Sequence, residues 1–170
     1  MTQPATPEQL GRGLSEVIAD EVLLALKIRV AKMGKVQGSV ADDVFARELF
    51  ALYAFAIDTS LFTRYRDLPV RSAIMAGFWA RYAEDYQSTP ESKRAFFLPP
   101  QVAQSRFEEY AMPYRRPPGY GNPIEGIGFM FARQCGSTDV LLAALAAHLF
   151  ARITDKVQYI VGTLWQSADS

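Results

Sequence analysis

Two glutamates and one arginine interrupt otherwise apolar helical faces in this chain of 170 residues. Helical residues step by about 100° around the axis, so each segment can be drawn as a wheel. Glu21 lies within a stripe formed by Leu10, Leu14, Val17, Ile18, Leu24, Ala25 and Ile28. A second apolar patch (Val22, Leu26, Val30, Met33) lies on another side of the same segment. Glu48 and Thr59 sit among Val44, Leu52, Phe55 and Phe62. Arg71 points in a direction surrounded by Ile74, Met75, Phe78 and Tyr82. An unpaired charge in such a place is very costly. The expectation is therefore that Glu21 or Glu48 meets Arg71 inside the bundle. If the two carboxylates instead lie together without a cation, one has a raised pKa and can serve as an acid or base. The bland alternative is an ion pair that sets helix register, or an Arg71 that snorkels at the start of its helix.

His148 shares a helix side with Arg152 and Asp155, the pattern of a His–Asp pair in a cleft. No serine or cysteine is tied to it by a local motif, so a polar-face or interface histidine is the simpler reading. Glu48, Glu21 and His148 are thus the candidate catalytic residues. One histidine and one cysteine (Cys135), without the Glu-x-x-His pairs of di-iron bundles, point to no metal site and no cofactor. Gly119-Tyr120-Gly121 and Gly126-Ile127-Gly128 are G-x-G triplets, but neither follows a strand or reaches a third glycine at the needed spacing. Gly126 and Gly128 read better as close helix packing or a weakened helix start.

Two basic–aromatic clusters offer binding chemistry. One is Arg64, Tyr65 and Arg66, continuing to Arg71; the other is Tyr114, Arg115 and Arg116 with Tyr120. Arginine and tyrosine are favoured at binding hot spots, and arginine forks grip carboxylates or phosphates. The second cluster lies in MPYRRPPGYGN, residues 112–122, whose three prolines and two glycines forbid helix or central strand. Asp58 and Asp67 flank the first cluster and neutralise it locally. Phe78-Trp79 and Phe96-Phe97 are either core or the walls of an apolar pocket.

The elements that must position these residues are helices. Thr6 caps and Pro7 opens a first helix to about residue 35, closed by Gly34 and Gly38. Ser39 with Asp42 opens a second, to about Tyr65. Leu68-Pro69 starts a third, ending near Gln87. A short turn over 91–97 and a weaker helix over 100–110 follow. Asn122-Pro123 caps a helix to about Gln134, which Gly136 stops. Ser137-Thr138-Asp139 caps the last, to about Trp165. Strand-like alternation is nowhere sustained. The fold class is all-α: one domain over 1–170, about five main helices, a disordered tail over 1–6 and an irregular loop over 112–122. The first, second, third and last helices form the central bundle.

The second helix has almost no polar face, so it belongs in the middle of a bundle or at an oligomer interface. Arg47 and Asp58, with Ala51 and Ala54 between them, mark its expected solvent strip. The first half of the last helix is also apolar on several sides. The 112–136 segment covers one of these helices and a homodimer the other.

Composition bounds the function. Lys+Arg and Asp+Glu are 18 each. Residues 1–85 carry 10 basic and 11 acidic side chains and residues 86–170 carry 8 and 7, so neither half has the basic excess of a nucleic-acid binder. The opening MTQPATPEQL lacks the pattern of a signal peptide, and the run VLLAALAAHLFA is too short to span a bilayer. A cytoplasmic protein is expected, and Cys135 fits a reducing compartment. Three functions follow, in order. The first is a non-enzymatic interaction or regulatory module acting through the 112–121 loop and nearby arginines, with a homodimer or another protein as partner. The second is a binder of a small apolar or anionic ligand between helices, anchored by Arg71 or Arg115. The third is a carboxylate-based enzyme.

Overall fold

The computed structural model describes residues 5–33, 40–115 and 121–166. Six α-helices stand among them: α1 (Pro7–Met33), α2 (Asp42–Tyr65), α3 (Pro69–Ser88), α4 (Pro100–Tyr110), α5 (Pro123–Gln134) and α6 (Val140–Gln166). Two 3-10 turns join them, Glu91–Phe96 and Met112–Arg115, and no strand occurs among the described residues. The chain is all-α, as the periodicity predicts.

Local chemistry sets the helix ends. The Thr6 amide donates to Gln9 Oε1 at 2.8 Å and the Gln9 amide donates to Thr6 Oγ1 at 3.2 Å, a reciprocal capping box. Thr6 is therefore ordered by its helix rather than part of a tail; residues 1–4 lie outside the described residues. Asn122 Oδ1 accepts from the Ile124 amide and Pro123 takes the first turn of α5. Gly136 (φ 71°) closes α5 in the left-handed region. Asp139 Oδ1 accepts from the Leu141 amide at the start of α6. The α2 start differs from expectation: the residue before it is Ala41, without a side-chain cap, and Ser39, Gly34 and Gly38 lie outside the described residues.

The α2 helix is the central post, packing against all five other α-helices. Within the arrangement α1 pairs with α3, α6 pairs with α5, and α2 runs between the two pairs. The expected solvent strip on α2 does not exist. Asp58, Ala51 and Ala54 are buried and Arg47 is half-buried, because α3 and α4 also pack on this helix. On α1, Leu24 is exposed whereas Val22 of the second patch enters the core.

Two close crossings hold the pairs. A Cβ on Gly11 would run into the Ile74 carbonyl, and one on Gly77 into the Glu8 carbonyl, so α1 and α3 meet backbone to backbone. Gly128 does the same for α5 against Ala143 of α6. Close helix packing at Gly128 is what its position in the sequence suggests.

Candidate functional site

Glu21, Glu48 and Arg71 each have an ion-pair partner, but not the expected one. Glu48, 2% exposed, pairs with Arg106 of α4 at 3.2 Å. Glu21 receives Lys156 at 2.5 Å and Arg152 at 3.1 Å, both from α6. Arg71 meets neither glutamate. It is held by Asp58, with Nε at 2.7 Å from Oδ1 and Nη2 at 2.5 Å from Oδ2. Its third nitrogen donates to the Arg66 carbonyl at 3.3 Å, and the guanidinium lies 5.0 Å from the Phe62 ring centre. The reason is spatial. The apolar neighbours of Arg71 are deeper along α3, while its own position at the first turn lies beside the C-terminal half of α2, where Asp58 is.

These contacts decide what the carboxylates can do. Burial pushes the Glu48 pKa up, and Arg106 and Arg47 pull it back. The buried Tyr110 hydroxyl, raised well above its usual value by desolvation and by Glu48, has no hydrogen-bond partner. Cys135, also influenced by Glu48, is a buried thiol pushed up to about 12. Glu48, Tyr110 and Cys135 are thus buried between α2, α4 and the end of α5, and the partly exposed Arg106 reaches in to Glu48. A carboxylate sealed this thoroughly meets no substrate, and unsatisfied polar atoms in such a cluster are the usual seats of buried water. Glu21 is neutralised by two cations. His148 lies on an exposed face of α6, away from the core, while its helix neighbour Arg152 turns to Glu21.

The arginine–tyrosine candidates separate. Arg64 lies over Tyr65 at 5.7 Å, and Arg66 is an exposed turn residue with φ 51°. Arg115 pairs with Glu108 at 3.2 Å on the surface. Tyr114 is half-exposed and sets its ring 5.9 Å from Phe55. Met112–Arg115 forms a 3-10 turn inside the segment expected to be irregular throughout; Arg116 and Tyr120 lie outside the described residues. Arg71 does line a hollow of about 320 Å³ with Trp79, Met75 and Phe107. Its fork is already closed on both oxygens of Asp58, so it is a poor anchor for a second anion.

Two other surfaces were not singled out as sites from the sequence. One is a half-open cleft of about 350 Å³. Helix α1 supplies Ala19, Val22, Leu23 and Leu26, and α2 supplies Ala46 and Phe50. The Glu91–Phe96 turn and the residue after it close the cleft with Lys93, Phe96 and Phe97. The Phe96-Phe97 pair was the one legible signal. The other is the outer face of α5 and α6. Phe129 is 55% exposed, and Val140 and Leu141 are each 63% exposed. Phe129 and Val140, with Glu125, border a hollow of about 240 Å³ floored by Ala143, Ala144 and Ala147. Its signal was a one-residue break in the α5 stripe: Phe129 points away from Ile127, Phe131 and the core.

No helix among the described residues is long and apolar enough to cross a membrane. Comparison of the chain with protein-family models, with curated proteins and with solved structures returned no match.

Proposed function

We propose that this chain is a non-enzymatic interaction module whose docking face is the outer surface of α5 and α6, and that its partner is a second copy of itself. The observation that carries this reading is the stripe Glu125, Phe129 and Arg133 on α5. The three residues are four apart and all exposed. Neither Glu125 nor Arg133 has an ion-pair partner among the described residues. A two-fold interface uses the same patch on both subunits. Two α5 helices set antiparallel about an axis near Phe129 place Glu125 against Arg133 of the partner subunit, and the converse. Each Phe129 then has the alanine-floored hollow beside it as a socket. Knob, socket and complementary charges lie on one patch, which is what self-association requires.

This reading keeps the protein-partner expectation but moves it from the 112–121 loop to the α5–α6 face. It leaves the acid/base reading of Glu48, Glu21 and His148 without support, because the first is sealed, the second is doubly paired and the third lies on an exposed face. The buried free thiol of Cys135 fits a reducing compartment such as the cytoplasm.

The test is a charge swap read by sedimentation velocity over a concentration series. Wild type is expected to move from monomer to dimer as concentration rises. Glu125→Arg alone and Arg133→Glu alone both set like charges face to face, and both weaken the dimer. The double variant restores complementarity and recovers it. A wild type that stays monomeric at every soluble concentration, or single variants that dimerise as well as wild type, refutes the proposal.

A further inference from the structure

The cleft between α1, α2 and the Glu91–Phe96 turn has a chemistry of its own, independent of the α5–α6 face. Ligand sites are concave, mostly apolar, and carry a few placed polar groups; their volumes begin at about 300 Å³. This cleft holds about 350 Å³. Its walls are apolar: Val22 and Leu26 from α1, Phe50 from α2 and Phe96 from the turn. Phe50 is braced from behind by Tyr82, ring centres 4.5 Å apart, so the back wall is rigid. Among the described residues one that lines the cleft is charged, Lys93, and none is acidic. Lys93 is exposed at the rim and makes no ion pair among the described residues. Arg94 beside it is occupied elsewhere, donating to the Thr89 carbonyl at 3.2 Å and lying 5.8 Å from the Tyr86 ring centre. The two sides of α2 are also divided. Ala46 and Phe50 face the cleft, while Glu48, about 200° around the helix from Ala46, faces Arg106.

We propose that this cleft binds a single-chain amphiphile with an anionic head, an unbranched alkyl carboxylate, with the tail against Val22, Leu26 and Phe50 and the carboxylate at Lys93. The tail supplies affinity by leaving water. The ammonium supplies selectivity, because an apolar cleft with one unpaired cation at its mouth favours an anion there over a neutral or cationic head.

The experiment uses the full chain and isothermal titration calorimetry with dodecanoate, dodecanol and dodecyltrimethylammonium, each below its micelle concentration. The expected result is saturable binding of one dodecanoate per chain, with the cation bound most weakly. Lys93→Gln is expected to weaken dodecanoate about tenfold, the scale of one charged hydrogen bond, and to leave dodecanol unchanged. Ala19→Phe fills the cleft and abolishes both, with circular dichroism as the check on folding. Should that variant fail to fold, Leu23→Asp at the exposed rim serves in its place and weakens dodecanoate selectively. No saturable binding, equal affinity for the three head groups, or a Lys93→Gln variant that holds dodecanoate as wild type does overturns the proposal. Sedimentation with phosphatidylglycerol vesicles in the absence of dodecanoate binding also overturns it, in favour of a lipid surface.

Discussion

Removing Arg106 strands the carboxylate of Glu48, and the loss should depend on pH in a calculable way. Glu48 is 2% exposed and its ion pair with Arg106 spans 3.2 Å. Breaking a buried pair from one side costs about 3–5 kcal/mol. The protein has an escape: the carboxylate can take up a proton. That route caps the cost at the free energy of protonation, about 1.4 kcal/mol for each pH unit above an ordinary glutamate value near 4.3. At pH 7 the cap is about 3.7 kcal/mol, and at pH 5 it is about 1 kcal/mol. Arg106 is itself partly exposed, so about 2–3 kcal/mol is expected at pH 7 for Arg106→Leu. The sign follows from linkage. Desolvation already holds the Glu48 pKa above its unfolded value, and Arg106 is the largest influence lowering it. The folded state therefore binds the extra proton, and stability falls as pH rises from the unfolded pKa to the folded one. Deleting Arg106 widens that window upward. The assay is urea unfolding of wild type, Arg106→Leu, Glu48→Gln and the double variant between pH 5 and pH 7.5. At pH 7 the single Arg106→Leu variant should also melt about 5–10 °C lower. The double variant should regain most of the loss. Glu48→Gln alone should cost little, since Arg106 keeps Glu109 at 3.3 Å. An Arg106→Leu penalty that does not change with pH, or a double variant no more stable than Arg106→Leu, refutes the reasoning.

Two glycines two residues apart on α1 should respond in opposite directions. Gly11→Ala drives a Cβ into the Ile74 carbonyl and should cost about 1–3 kcal/mol, whereas Gly13 faces open space and Gly13→Ala should gain about 0.5–1 kcal/mol in thermal unfolding. Cys135 is buried, with its thiol pushed up to about 12, so at pH 8 it should react with a thiol reagent such as DTNB only as fast as the fold opens. Full reaction within seconds under native conditions would contradict that burial.

Much of the candidate chemistry was visible as residue type before it was visible as contact. The wheel positions of Glu21 and Glu48 foretold that both carboxylates are buried, because Glu21 lies within an apolar stripe of α1 and Glu48 on a helix with almost no polar face. Their partners were illegible. Arg106, Arg152 and Lys156 lie far along the chain, on helices whose relative placement no local pattern encodes. Asp58 was misread for the same reason: one helix drawn alone cannot show that α3 will deliver Arg71 to the edge that looks like its solvent strip. Arg29 went unremarked, yet it is buried against Phe45, 4.8 Å from the ring centre, and pairs with Asp42 at 2.8 Å.

The sequence alone determined the helices and several of their ends. Capping, proline at the first turn and glycine in the left-handed region act within a few residues, so Thr6, Asn122-Pro123, Asp139 and Gly136 could be read directly. It also narrowed α2 to the middle of a bundle or an oligomer interface, since it is hydrophobic on nearly all sides, and the packing of α2 against the five other α-helices chose the first. Only the tertiary structure decided which cations meet which carboxylates and which apolar residues remain outside. It also decided where a cleft is left open. Those outcomes depend on how close each pair of helices approaches, and that distance is set by glycines such as Gly11, Gly77 and Gly128 meeting a backbone from elsewhere in the chain.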